Sequence, residues 1–222
     1  DLARADAVTL SHGHYDHTGG LLAVLESADK LLPVYANQGI FTARFSHSHH
    51  HNYYIGIPFA QELLASMGAE FHLLDKPFEL SPGLWLSGPI PRQTSFEQGD
   101  TRLVVKDENK LKPDPFQDDL VLYYQTTDGV VVISGCAHAG IINIIRHGLA
   151  LSQTEKLKGI IGGTHLGPVS KEQQAATLRE LTVLNPGFIA PNHCTGFSLM
   201  AKLQELFADK FMPAPVGTVI EF

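Results

Sequence analysis

An α/β fold is predicted for this chain, on three observations. Through its second half, apolar runs of strand length alternate with longer runs of helical periodicity. Asp128-Gly129, between two apolar runs, is a hairpin signal. And His12, His138, His165 and His193 each stand just past an apolar run, at the carboxyl ends of strands where α/β sheets gather functional groups. No low-complexity linker interrupts the 222 residues, so one domain spanning 1–222 is expected.

The elements follow in order. Residues 5–11 read as a buried strand ending in a histidine cluster. Residues 18–29 read as a helix with Thr18 as its N-cap. "LPVYAN" (32–37) is a short strand. Residues 58–70 are a helix, with Pro58 in the first turn and Gly68 at the C-terminal stop. "FHLL", "FEL" and "LWLSG" are short strands separated by Pro/Gly turns. Residues 89–119 are polar, with proline and acid clusters, and are expected to form a long excursion or lid. Strands at 119–126 and 129–135 form the hairpin. Then come the helix "AGIINIIRHGLALS", the strand "GIIGGTHL" reaching His165, the helix "KEQQAATLRELTVL", the strand "GFIAPNHC" reaching His193, the helix "SLMAKLQELFADK" and a closing strand "GTVIEF".

Composition narrows the function. Hydrophobic residues make up 44% and charged residues 18% of the chain, too apolar a mixture for a disordered protein. A net charge of −7 without a Lys/Arg run argues against a nucleic-acid partner. No apolar run approaches the ~20 residues of a membrane span. Two cysteines, far apart, make no disulfide framework and fit a reducing cytoplasm. The expected partner is therefore a small-molecule substrate, neither nucleic acid nor membrane, with a homodimer left open.

The outlier is histidine, twelve in all. "LSHGHYDHTGG" packs His12, His14, Asp16 and His17 between an apolar run and a helix-like one. On an extended segment, residues two apart point the same way, so His12 and His14 can reach one ion. Asp16 and His17 follow where the chain turns and can face a second ion; a pair of ions ~3.5–4 Å apart activates a water and steadies both ends of a displacement. The remaining ligands must come from afar. His138 in "SGCAHAG" and His193 in "APNHCTG" are the best candidates, and His165 in "IIGGTHLG" comes third, as a ligand or as a group that orients substrate. Cys136 reads first as a small buried hydrophobe and only second as a ligand. Cys194, on an extended chain, would face away from His193. "HSHHH" (His47, His49, His50, His51) reads as a polar loop with adventitious metal affinity. His72 and His147 read as structural. Arg92 and Glu97 are expected to contact substrate or phosphate from the lid. Asp118 and Asp119 either cap a strand or face the site.

His12-x-His14-x-Asp16-His17 followed by Gly-Gly resembles the signature of the metallo-β-lactamase superfamily. "SHGHYDHTGG", "GIPF", "IPRQTSFE", "SGCAHAGIINII", "IIGGTHL" and "PNHCTG" together resemble its 7,8-dihydropterin-6-yl-methyl-4-(β-D-ribofuranosyl)aminobenzene 5′-phosphate synthase-like branch of metal-dependent hydrolases. The resemblance implies a four-layer αββα sandwich. The superfamily's first strands precede the histidine motif, so this chain is expected to lack them. The resemblance puts His12, His14 and a downstream histidine on a first ion, and Asp16, His17 and the C-terminal motif histidine, here His193, on a second. Many members bridge the ions with an aspartate from a strand-end Gly-Asp; here that strand end reads "SGCAH", which leaves water or hydroxide, His138 or Cys136 in the role. The cofactors implied are two divalent ions, zinc first, with iron or manganese as alternatives. Asp16 and His165 are the catalytic candidates. The activity implied is hydrolysis of a small, phosphorylated or pterin-like substrate. The alternatives are a transferase of the synthase type and a non-catalytic metal-binding or sensor protein.

Overall fold

The computed structural model describes residues 2–48, 50–107 and 110–221. Along the chain come β1 (Val8–Thr9), α1 (Tyr15–Thr18), α2 (Leu21–Ala28), β2 (Leu32–Asn37), β3 (Arg44–His47), β4 (Asn52–Tyr54), α3 (Gln61–Ser66) and β5 (Ala69–Leu74). Next are β6 (Phe78–Ser81), β7 (Leu84–Leu86), β8 (Leu103–Asp107), β9 (Lys110–Pro113), β10 (Leu122–Thr126), β11 (Gly129–Ser134) and α4 (Ile141–Leu151). β12 (Leu157–Gly162), α5 (Lys171–Leu184), β13 (Phe188–Pro191) and α6 (Phe197–Phe207) complete it. Two compact units emerge, 1–76 with 101–120, and 77–100 with 121–222.

The first unit holds a parallel sheet, β1-β2-β5, and an antiparallel sheet, β4-β3-β8-β9. Leu21, Leu25, Leu32, Val34, Ala36, Ile40 and Leu64 form its core. Fully burying each of the larger side chains is worth roughly 1.5–3 kcal/mol. The strand expected over 5–11 shrinks to Val8–Thr9, whose residues register with Val34 and Tyr35 of β2, and the Leu10 N–H adds one bond to the Tyr35 carbonyl at 2.9 Å. The helix expected over 18–29 begins at Leu21, with Gly20 as N-cap. Thr18 belongs to the short turn α1, where its hydroxyl donates to the His14 carbonyl at 2.8 Å. The helix expected over 58–70 is cut to Gln61–Ser66, and Gly68 ends it at φ +99°. Residues 89–119 are no continuous irregular lid: β8 and β9 form a hairpin within them, and β8 joins β3.

The second unit carries one six-stranded sheet, β13-β12-β11-β10-β7-β6. Its first three strands are parallel and the rest antiparallel. Burial explains the composition. β11 reads Gly-Val-Val-Val-Ile-Ser with five of its six positions buried, the near-continuous apolar run of a strand covered on both faces. α4 buries Ile141, Ile142, Ile144 and Ile145 against β10–β12 residues such as Tyr123, Val132 and Ile160. α5 starts at Ser170, whose hydroxyl accepts from the Gln173 N–H at 3.1 Å, and ends at Asn185 in the left-handed conformation. The closing strand expected at 217–222 is absent among the described residues there; Phe222 lies outside them.

In this sheet the ends of three parallel strands lie level. Ser134 of β11 pairs with Gly162 of β12, which pairs with Pro191 of β13. Everything just beyond these residues therefore emerges along one edge.

Candidate metal centre

In the first unit, one loop supplies four donors. His14 is extended, at φ −75° and ψ 145°, before the chain turns into α1. His12 Nε2 and His14 Nδ1 lie 3.0 Å apart, both residues buried. Two nitrogens on one tetrahedral zinc stand about 3.3 Å apart, given Zn–N bonds of 2.0–2.1 Å. The two rings therefore converge at ligand spacing. His17 Nε2 and Asp16 Oδ2 face each other at 3.6 Å, and both side chains keep some exposure. Ser11 Oγ contacts His12 Nδ1 at 3.0 Å and His17 Nδ1 at 3.4 Å. That hydroxyl occupies one ring edge of each histidine and turns the Nε2 edges to other use.

The loop is held from beneath. The Gly13 N–H donates to Asp118 Oδ2 at 2.8 Å. Arg44 pairs with Asp118 at 2.6 Å and with Asp114 at 2.8 Å, all three side chains buried. A Cβ on Gly13 would collide with the Ile40 carbonyl and lie 2.7 Å from Arg44 Nη1, so only glycine fits between the two histidines. Burial raises the Asp118 carboxyl from its ordinary value of 3.8 to about 6, against the pull of Arg44 and the Gly13 N–H. Asp118 is thus a prop for the histidine loop. Sequence reading left it undecided and missed Arg44 and Asp114, whose partners lie some seventy positions away.

In the second unit, the level strand ends deliver the other candidates. Cys136 and His138 follow β11, His165 follows β12, and His193 and Cys194 follow β13. The His138 and His165 rings lie 4.1 Å apart. His193 opens a short 3-10 turn at φ +47°, so the chain there is not extended. Cys194 lies against the loops that follow β11 and β12. Its Sγ accepts from the His165 N–H at 3.3 Å and donates to the Cys136 carbonyl at 3.6 Å. The Cys136 side chain draws the Cys194 thiol well below its ordinary range, against burial, with His165 adding to the lowering. A cavity of about 430 Å³ beside His193 is lined by Ile161, Asn192, Ala214, Pro215 and Val216.

Arg92 and Glu97, expected to contact substrate, have other work. The Ile142 and Asn143 N–H groups donate to the two Glu97 carboxylate oxygens at 2.8 and 3.0 Å, and the Thr94 hydroxyl donates at 2.9 Å. The Glu97 carboxylate is therefore a cap for α4, where a helix N-terminus favours negative charge. Burial raises its pKa, with those N–H groups opposing. The Arg92 guanidinium donates to the Glu97 carbonyl at 3.3 Å and to the His138 carbonyl at 3.0 Å. The Asn143 side chain accepts from the Gln93 and Thr94 N–H groups. The segment "RQTSFE" thereby fixes the turn that carries His138.

Of the remaining histidines, His147 and His72 have structural partners as expected, whereas His47 ends β3 where a polar loop was expected. His147 Nε2 meets the Ser87 carbonyl at 3.0 Å, and His72 stacks on Tyr35 at 4.8 Å. His47, His50 and His51 are exposed, and His49 lies outside the described residues.

The sequence model of the Metallo-beta-lactamase superfamily matches residues 1–193. The chain belongs to the metallo-β-lactamase superfamily. Its mixed α/β architecture is the metallo-β-lactamase fold. This superfamily member is 30% identical to a 7,8-dihydropterin-6-methyl-4-(beta-D-ribofuranosyl)-aminobenzene-5'-phosphate synthase of Methanocaldococcus jannaschii, over 98% of this chain and 75% of that protein. It is similar to the crystal structure of Tm1679, a metal-dependent hydrolase of the β-lactamase superfamily, with 25% identity and a TM-score of 0.80 over 98% of this chain and 79% of that one. Zn(2+)-bound PqqB from Methylobacterium extorquens shares the fold at 14% identity and a TM-score of 0.55, over 97% of this chain and 73% of that one. Among the described residues no helix is long and apolar enough to cross a membrane.

Proposed function

We propose that this superfamily member is a metal-dependent hydrolase of a small phosphorylated substrate, its ions held by His12, His14, Asp16, His17, His138 and His193. The observation that carries the reading is the pairing of donors in one loop: His12 Nε2 with His14 Nδ1 at 3.0 Å, and His17 Nε2 with Asp16 Oδ2 at 3.6 Å. Two donor pairs at ligand spacing suit two ions, and a nitrogen-rich set with one carboxylate suits zinc, iron or manganese. A divalent ion bound there supplies Lewis acidity and lowers the pKa of a coordinated water toward 7. The chain's own residues prepare that chemistry. Ser11 fixes the ring edges of His12 and His17. Asp118 and Arg44 hold the loop rigid through Gly13. Asp16 and His165 are the groups assigned to accept or deliver protons near the reacting atoms.

A second reading is a transferase, favoured by the 30% identity to the pterin synthase over almost the whole chain. It would join a dihydropterin diphosphate to an aminobenzene riboside phosphate and release diphosphate.

One experiment separates the readings. The metal-loaded protein is given a panel of phosphoesters and, separately, the two condensation substrates. Water-dependent release of phosphate supports the hydrolase. A joined pterin with release of diphosphate supports the transferase. Neither product would sink both readings and favour a non-catalytic metal protein. The ligand set has its own check: His12→Ala with His14→Ala should lower bound metal by elemental analysis, in protein whose residues 47–51 are deleted as a control. Unchanged metal content would overturn the assignment.

A further inference from the structure

Phe197 is the most exposed phenylalanine, tyrosine or tryptophan among the described residues, at 88%, against 59% for Tyr53, the next. Phenylalanine is among the residue types most often fully buried. This one opens α6, four positions after His193. We infer that Phe197 is a specificity residue, whose ring stacks on a flat aromatic ring carried by the substrate. The inference rests on the metal-centre reading above, in which a phosphoryl group is held at His193, and it adds the class of group attached to that phosphoryl: an aryl ring.

Helix geometry is the first support. Side chains on an α-helix tilt toward its N-terminus and cover the turn that precedes their own Cα. As the first residue of α6, Phe197 leans back over the His193–Thr195 turn. The second support is the fixed backbone beneath it. Thr195 is fully buried, and the Thr164 hydroxyl donates to its hydroxyl at 3.0 Å. The Gly167 N–H donates to the Cys194 carbonyl at 3.3 Å. Gly196 turns the chain at φ +78°, and a Cβ there would lie 3.3 Å from the Gly167 Cα. On the other side, Leu199 is buried against Leu166 and Val169. The ring is therefore exposed on a rigid mount, which loses little freedom when a ligand binds. The third support is repetition. In the first unit Tyr15 opens α1 directly after His14 and is 54% exposed. In both units an exposed aromatic stands at the first helical position beyond a donor histidine.

Chemistry then selects a ring over a chain. Gly196 and Ser198, on either side of Phe197, supply no apolar wall, so an alkyl group would meet water on its other sides. A flat ring needs one face only, and stacked or edge-to-face aromatic pairs attract beyond the area they bury. A phosphoryl group held at His193 has its ester group beside the turn that Phe197 covers. Phe197 takes part in no covalent step; it binds.

The test uses the full, metal-loaded chain and two phosphonates whose P–C bond resists hydrolysis, benzylphosphonate and cyclohexylmethylphosphonate. They share charge and ring size and differ in whether the ring is flat. Calorimetric titration should give benzylphosphonate about 2- to 12-fold the affinity of its saturated partner, the size of an aromatic pair's contribution. Apolar area alone would favour the saturated ring. Phe197→Ala and Phe197→Leu should bring the two affinities together, and Phe197→Trp should keep the preference. Circular dichroism checks that these exposed substitutions leave the fold intact. Equal wild-type affinities, tighter binding of the saturated ring, or a preference that survives Phe197→Ala would overturn the inference alone. Binding of neither phosphonate would overturn the inference together with the metal-centre reading. No phosphate release from esters, with the benzyl preference intact, would sink hydrolysis and uphold the role of Phe197.

Discussion

Asp118 shows how one side chain outside any ligand set can govern the histidine loop. Its carboxylate accepts the Gly13 N–H and pairs with Arg44, and burial lifts its pKa to about 6. The folded chain thus holds the Asp118 proton more tightly than the unfolded chain does. Stability from this group is full below the ordinary value of 3.8 and falls as pH rises toward about 6. Asp118→Asn should remove that decline from a denaturation series across the interval and keep most of the stability at pH 7, because Arg44 retains Asp114. Asp118→Ala leaves the Gly13 N–H without its acceptor and should cost roughly 1–3 kcal/mol at any pH. Equal effects of the two substitutions would refute the account. At this scale the sequence is a good guide to residues whose chemistry is local. The spacing of His12, His14, Asp16 and His17 announces their convergence. It does not announce Arg44 or Asp114, because a pairing across seventy positions leaves no periodic trace. Nor does it announce the contacts of Cys194, which follows a positive φ at His193, a non-glycine residue.

Among the elements, α4 depends most on a distant segment. Its N-terminal N–H groups are met by Glu97, and Asn143 ties down the backbone of Gln93 and Thr94. Glu97→Ala should destabilise the chain by about 1–3 kcal/mol, the range for a lost cap with buried donors left behind. Amide hydrogen exchange should localise the loss to the first turn of α4 and the preceding turn with His138. Faster exchange confined to residues 92–97 would argue that the contact props the loop and not the helix. Helices and strands with strong patterns were legible: α5 matches its expected bounds, as does β2. Short elements were misjudged where tertiary pairing decides. β1 keeps its ladder with β2 only at Val8 and Thr9, and the Gly19-Gly20 break delays the expected first helix to α2 and leaves Thr18 in α1. The β8–β9 pair was hidden because β9 is exposed throughout and carries Lys110 and Lys112, which mask the alternation of a strand.

For the molecule as a whole, charge and edge geometry matter most. A net charge of −7 repels polyanions at physiological salt. The chain should pass through a heparin or nucleic-acid column in the flow-through, and retention that weakens with salt would contradict the small-molecule partner assigned to it. The α/β class was readable from alternation in the second half, whereas the division into two compact units was not, because the segment 101–120 leaves one unit's stretch of sequence to serve the other. The level ends of β11, β12 and β13 carry a consequence for how such a protein diversifies. Each donor loop hangs from its own strand, like tools on a common rack. A change of length in the loop after β12 displaces His165 first, while Cys136 and His193 stay anchored to their own strands and feel the change through bonds such as that from the His165 N–H to Cys194 Sγ. New reactivity can then be gained by swapping one loop at a time, and the inherited scaffold beneath is never cut.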